Sequence, residues 1–281
     1  MEFKFAKLNG LGNNFILMSD LTDDISGKAD VSRLAKAVCD VSFGIGADGL
    51  ILVKSSRNCD FRMVIINSDG SEAEMCGNGI RCMVRFLVDN QLTRKDTLCI
   101  ETLAGPIHTV HKGRNMVEVD MGPPAFRSDD IVLNDDSNGQ DAPAAVEIGG
   151  TPFRFVSMGN PHAVTFVESF DFDWAATGAA IEKTMSVFPN RVNVEFGRVE
   201  NDGEMTMKVW ERGCGVTQAC GTGTCALVVA AVHAQKVSAG DVRVHLPGGD
   251  LLIQYFEGST VRMTGPAEHV CSGVYVYSET E

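Results

Sequence analysis

The sequence predicts a mixed α/β fold of two pseudo-symmetric domains, each a curled, largely antiparallel sheet around a central helix, with an active site in the cleft between them. Three observations predict it. A Cys-Gly-x-Gly turn occurs twice, an alternating apolar strand precedes each turn at the same distance, and an apolar helical stretch follows each.

The turns are CGNGIRC (76–82) and CGTGTC (220–225), with Cys76 and Cys220 set 144 positions apart. At that offset FRMVIIN (61–67) falls on MTMKVWE (205–211), so Asn67 and Glu211 each stand nine positions before a cysteine. Farther upstream FKFAKLNGLGNNF (3–15) resembles FRFVSMGNPHAV (153–164), with Gly12-Asn13 and Gly159-Asn160 147 apart. A slip of three residues is what a loop insertion produces. Four landmarks in the same order indicate a duplicated unit.

Within each unit the elements follow from periodicity. Phe61, Met63, Ile65 and Asn67 alternate with Arg62, Val64 and Ile66, which predicts a strand with one buried face and Asn67 inward. Met205, Met207, Val209 and Glu211 make the equivalent face, against Thr206, Lys208 and Trp210. In VNVEFGRVENDGE (192–204) an Asp-Gly pair between alternating runs predicts a hairpin. After Cys76, residues Ile80, Met83, Val84, Leu87 and Val88 trace one stripe of a helix. After Cys220, CALVVAAVHA is apolar all round, so its helix is expected to be buried inside its own sheet.

The Gly-Pro-Pro break after VEVDM marks a domain boundary. We expect one domain at 1–120 plus 266–281, carrying Cys76, and a second at 121–265, carrying Cys220. The tail after TGPA returns to the first domain. The Asp-rich stretch 128–145 reads as an exposed excursion.

Composition narrows the function. A chain of 281 residues supports two cores, and 44% hydrophobic with 22% charged residues is the balance of a globular protein. A net charge of −13 excludes a phosphate-backbone binder, so no nucleic-acid partner is expected. The longest apolar run, Cys225–Ala231, is too short to span a bilayer. With no secretory leader in MEFKFAKLNGLGNNF, a cytoplasmic setting with reduced thiols is expected for the nine cysteines. Cys39, Cys59 and Cys99 read as core or surface fillers. No metal is expected, because Cys82, Cys214 and Cys225 lack the spacing or histidine pair of a zinc site. Lys7 and Lys183 stand in no Schiff-base context.

A cysteine opening a helix feels the positive end of its dipole, which favours thiolate, and the adjacent glycine amides can receive a carboxylate. Two such thiols facing each other suit removal of a proton from one face of a carbon and its return to the other. His162 and Glu211 are the groups expected to poise the two protonation states. That chemistry inverts a stereocentre. Sulfurs that flank one carbon are also expected to join as a disulfide when the substrate-free protein is oxidised.

NSDGSEAEMCGNGIRC (67–82) and ERGCGVTQACGTG (211–223) resemble the two signature regions of the diaminopimelate epimerases, and GLGNNF, GIGADG, GNPHAV, FPNRVNVEF and TGPAEHV resemble further family blocks in order. The resemblance covers the whole chain. It implies a homodimeric isomerase without pyridoxal phosphate or other cofactor, interconverting LL- and meso-diaminopimelate for lysine and peptidoglycan precursors. It implies Cys76 and Cys220 as the acid–base pair. Gly77, Asn78, Gly221 and Thr222 would hold substrate at the helix starts. Asn13, Asn67, Asn160, Asn193, Glu211 and Arg212 would bind its amino and carboxylate groups. Gly49 stands where some members carry a substrate-touching Gln, and Cys271 where some carry an aromatic residue that supports the dimer. Two other readings remain open at this point: an epimerase or racemase of another amino acid such as proline or hydroxyproline, and a thiol–disulfide redox protein.

Overall fold

A computed structural model describes residues 1–126 and 145–278. The chain divides into two compact units, Met1–Val119 with Thr264–Glu281, and Asp120–Met263. The stretch expected as an exposed excursion lies, except for Ala145, outside the described residues.

In the first unit, strand Glu2–Gly10 pairs antiparallel with Asn13–Ser19 on one side and with Glu268–Val276 on the other. The loop between the first two is only Leu11-Gly12, both at positive φ (60° and 91°), a two-residue hairpin connection that suits strand twist. Asn13–Ser19 runs parallel to Gly49–Lys54, which pairs antiparallel with Phe61–Asn67. Thr97–Thr102, Gly105–His111 and Met116–Asp120 follow as a meander. Helix Gly77–Asp89 packs on one face of this sheet. Helix Val31–Cys39 covers the other, over a core of Phe3, Ile16, Met18, Leu34, Val38, Leu50, Leu52 and Ile66.

The second unit repeats the order. Thr151–Ser157 and Pro161–Phe166 pair antiparallel, and the latter runs parallel to Asn193–Asn201. Asn193–Asn201 and Glu204–Glu211 form the expected Asp202-Gly203 hairpin. Helix Gly221–His233 is buried along nearly its whole length. Gly197 admits it closely, since a Cβ there would lie 2.3 Å from Leu227 Cδ1. On the outer face, helix Trp174–Glu182 and Trp210 close a core of Phe153, Phe155, Phe188 and Phe196.

Four expectations are corrected. Phe61–Asn67 is covered on both faces, because Val64 and Ile66 pack toward helix Val31–Cys39 while Met63 and Ile65 are buried too. Its last residue, Asn67, is exposed rather than inward. Helix Gly77–Asp89 buries more than one stripe: Arg81, Cys82 and Phe86 join the apolar positions. Cys59 and Cys99, expected as reduced fillers, are instead disulfide-bonded with their Cα atoms 5.0 Å apart. The parallel pairing Phe61↔Ile100 and the bond from Asp60 N to Cys99 O set them side by side.

Candidate active site

Each Cys-Gly-x-Gly turn is a helix cap. Cys76 and Cys220 are the N-cap residues of Gly77–Asp89 and Gly221–His233, both with extended backbone (φ −143°, ψ 118° and φ −121°, ψ 112°). Each sulfur accepts the amide hydrogen of the third residue on, Gly79 or Gly223, at 3.4 Å. A sulfur thus stands where Ser or Asp usually caps, on the positive end of the helix.

Around Cys76 the surroundings are amides. Its sulfur lies 3.7 Å from Asn13 Oδ1, which also accepts from Asn78 Nδ2 at 3.5 Å. Asn13 is anchored by Asp48, whose Oδ2 accepts from Asn13 Nδ2 and from Asn14 N, both at 2.7 Å. Arg81, fully buried, donates to Gly77 O and Asn78 Oδ1 at 3.1 and 2.9 Å and so fixes the first turn. The Asn67 side chain is not bonded to this group; it donates to Ser71 Oγ at 3.0 Å. Gly49 sits opposite Asn67, where a Cβ would meet Ile66 O at 2.9 Å.

Around Cys220 the surroundings are acids and an imidazole. The thiol is 6% exposed and lies 3.6 Å from Thr222 Oγ1. Asn160 Nδ2 donates to that hydroxyl at 3.3 Å, and Asn160 Oδ1 meets His162 Nε2 at 3.0 Å. His162 Nδ1 meets Glu195 Oε1 at 2.7 Å, both side chains wholly buried. Glu211 accepts from Thr217 and faces the thiol. Asn193 donates to Pro161 O and accepts the Arg212 backbone N–H, both at 2.9 Å, which ties the Arg212 loop to the strand. Arg212 itself is exposed, with Nη1 3.4 Å from Asn190 O.

The expectation that the helix dipole favours thiolate is corrected at Cys220. Burial, then Glu211 and Glu195, push its thiol well above the ordinary cysteine value, outweighing Thr222 and the Gly223 amide. Burial likewise raises the Glu211 carboxyl, with Glu195 adding to it.

Sequence reasoning missed three residues that organise these sites. Nothing in the sequence singles out Arg81, whose place shows only once its helix is seen to be buried. Glu182, buried, accepts from Trp210 Nε1 and Gly213 N, both at 2.8 Å, and so braces the Arg212 loop. Burial raises its carboxyl, yet the two donors and Arg191 bring it below the usual range. Glu195 carried one signal: an acid two residues after Asn193 inside an apolar run, hence on the same strand face.

Among the described residues no cluster of three or more His, Cys, Asp or Glu could hold a metal ion, and no helix is long and apolar enough to cross a membrane.

The fold is shared by several solved structures. A PhzF-family phenazine biosynthesis protein of Bacillus anthracis matches 99% of this chain and 100% of its own at TM-score 0.70 and 17% identity. A hydroxyproline epimerase of Agrobacterium vitis matches 97% of this chain and 92% of its own at TM-score 0.68 and 14% identity. More specifically, the chain belongs to the diaminopimelate epimerase family, whose profile matches residues 5–127 and 154–270. Diaminopimelate epimerases of Desulfitobacterium hafniense and Elusimicrobium minutum are 46% and 47% identical to it, covering 96% and 97% of this chain and 97% and 99% of their own.

Proposed function

We propose that this enzyme interconverts LL- and meso-2,6-diaminopimelate by two-base proton transfer at the α-carbon, with Cys76 and Cys220 as the bases, in the making of lysine and peptidoglycan precursors. The observation that carries the reading is the duplicated cap: two sulfurs, each held by the amide of the third helix residue. The thiolate takes the α-proton while the opposing thiol delivers its own, and the next turnover starts from the reversed pair. For this the two units would face each other across the substrate.

The amides of Gly77-Asn78 and Gly221-Thr222, at helix starts that lack intrahelical acceptors, suit the α-carboxylate. Asn13, Asn67 and Asn160 suit the amino groups, and Arg212 the distal carboxylate, with Asn193 holding its loop. Glu211 and His162 shape the charge around Cys220. The thiols and these groups account for the proton transfers with no cofactor.

A homodimer fits strand Glu268–Val276, whose Val270, Val274 and Val276 are 53%, 54% and 66% exposed beside Cys271. Exposed apolar surface of this kind is normally covered. A cytoplasmic setting fits Cys39, Cys82, Cys220 and Cys271, which stand outside any disulfide. The decisive experiment is incubation with LL-diaminopimelate in deuterated water. Deuterium enters the α-carbon and meso product accumulates; no label, or label into proline instead, overturns the assignment.

A further inference from the structure

The network behind Cys220 contains an acid with no part in the thiol chemistry proposed above. Glu195 lies on strand Asn193–Asn201, wholly buried, with Oε1 on His162 and Oε2 without a hydrogen-bond partner among the described residues. Its carboxylate also fills the space beside the cap, since a Cβ at Gly223 would lie 2.5 Å from Oε1 and 3.2 Å from Cys220 Sγ. From Glu195 a continuous line of contacts runs through His162, Asn160 and Thr222 to the Cys220 sulfur, at 2.7, 3.0, 3.3 and 3.6 Å.

Counting hydrogens along that line fixes a proton. Asn160 turns Nδ2 to Thr222, so its Oδ1 faces His162 Nε2, which must then carry hydrogen. Between Nδ1 and Glu195 Oε1 a further hydrogen is needed, whichever atom holds it. Together the pair therefore carries one proton more than a neutral imidazole beside a carboxylate. The pair is then electrically neutral, which a water-poor interior favours. In this state Thr222 Oγ1 accepts from Asn160 and can turn its own hydrogen to Cys220, meeting a thiolate.

Remove one proton from the pair, the hydrogen on Nε2, and the line reverses. Nδ1–H stays on the carboxylate and Nε2 becomes an acceptor. The Asn160 amide turns over to supply it, and Thr222 donates to Oδ1. Only a hydroxyl lone pair is then left for Cys220, whose matching partner is S–H.

We propose that Glu195 is a positioning residue which lets His162 hold a second hydrogen, on Nε2, and that the gain or loss of this hydrogen decides whether Thr222 meets Cys220 as donor or acceptor. No proton travels along the line; an amide and a hydroxyl rotate. The inference rests on the reading of Cys220 as an acid–base group. The titratable groups facing the sulfur are Glu195, Glu211 from the adjacent strand Glu204–Glu211, and His162 behind Asn160. A bare Glu195 carboxylate would also act on the thiol directly, in the same direction as the reversed line, because both disfavour thiolate.

Two variants separate this from a merely structural role. In Glu195→Gln the amide donates to Nδ1 and keeps hydrogen on Nε2 with no acid to ionise. In Glu195→Leu nothing orients the ring. The primary readout is the pH dependence of Cys220 alkylation by iodoacetamide, followed by peptide mass. Its midpoint should fall by about one pH unit in Glu195→Gln relative to the parent and should not fall in Glu195→Leu. The alkaline limb of α-proton exchange should move upward in Glu195→Gln. Exchange in Glu195→Leu should be at least about tenfold slower than in the glutamine variant. In the parent, ¹⁵N spectra of His162 should show hydrogen on Nε2 at neutral pH.

Hydrogen confined to Nδ1 at neutral pH, superposable alkylation profiles for parent and Glu195→Gln, or equal behaviour of the two variants would each overturn the proposal. Alkylation and NMR need no turnover. A parent that fails to exchange the α-proton therefore sinks the proposed function and leaves this inference to be decided on its own data.

Discussion

The two capping thiols share a backbone and differ in everything that surrounds the sulfur. Cys76 and Cys220 both have extended dihedrals, and each accepts a 3.4 Å bond from the amide of the third residue on. Yet Cys76 is partly exposed among amides and a buried guanidinium, while Cys220 is buried beside two carboxylates and an imidazole. The helix dipole is common to both, so the difference between them lies in desolvation and local charge. A duplicated fold can thus supply two equivalent positions, and the flanking strands make them inequivalent. For a two-base reaction that inequality is useful, because the resting pair needs one thiol to keep its proton.

The comparison can be broken most directly at the sulfurs. Cys76→Ala and Cys220→Ala are each expected to lower turnover about a thousandfold or more while leaving the circular dichroism spectrum intact. Serine at either position should also be severely impaired, since a hydroxyl is a far poorer base than a thiolate. A variant that keeps normal turnover would mean that the two caps are not partners.

Next in size is the arm that only the second unit carries. Arg212→Ala should reduce kcat/KM on diaminopimelate by about a hundredfold, and Arg212→Lys by less, because charge survives without the planar fork. Equal kcat/KM for parent and alanine variant would remove Arg212 from substrate binding.

The electrostatic contrast is sharpened by reagent. At neutral pH in substrate-free protein, Cys220 should react with iodoacetamide more slowly than an exposed thiol such as Cys214, since its proton is held by burial and two acids. Cys39 and Cys82, both pushed up to about 12 chiefly by burial, should stay unmodified until the protein unfolds. Rapid labelling of Cys220 at neutral pH would contradict the charge assignment. Mild oxidation of the same sample is expected to join Cys76 to Cys220, with substrate protecting. Peptide mapping that finds another pairing would separate the two units in the proposed site.

The smallest effect is on stability. Burial pushes the Glu211 carboxyl above its ordinary value in the folded chain. Below that ordinary value it is largely protonated in folded and unfolded states alike. As pH rises through the folded value, the folded state alone bears the cost of the buried charge, so stability falls. Glu211→Gln should therefore melt with the parent at pH 4 and about one to four degrees above it at pH 8, while losing activity. Equal melting at both pH values would mean that this buried charge costs nothing.

What the sequence determined by itself was whatever is local. The thiol caps, the Asp202-Gly203 hairpin, the alternation of Met205, Met207 and Val209, and the all-apolar helix after Cys220 each arise within a few residues. Backbone sterics and one strand's own pleat suffice to specify them. Tertiary structure decided which groups meet. Asn67 faces solvent because its strand is sandwiched and ends there, a fact no single-strand period contains. Cys59 and Cys99, 40 residues apart in the chain, join because the strands beside them pair in parallel. Glu195 meets His162 because the register His162↔Asn193 fixes the neighbouring strands, though 33 residues separate the two side chains in the chain. Register, and the depth to which it buries an acid, is set by packing across the whole sheet, and so the charge around the sulfur could be read only once the fold was known.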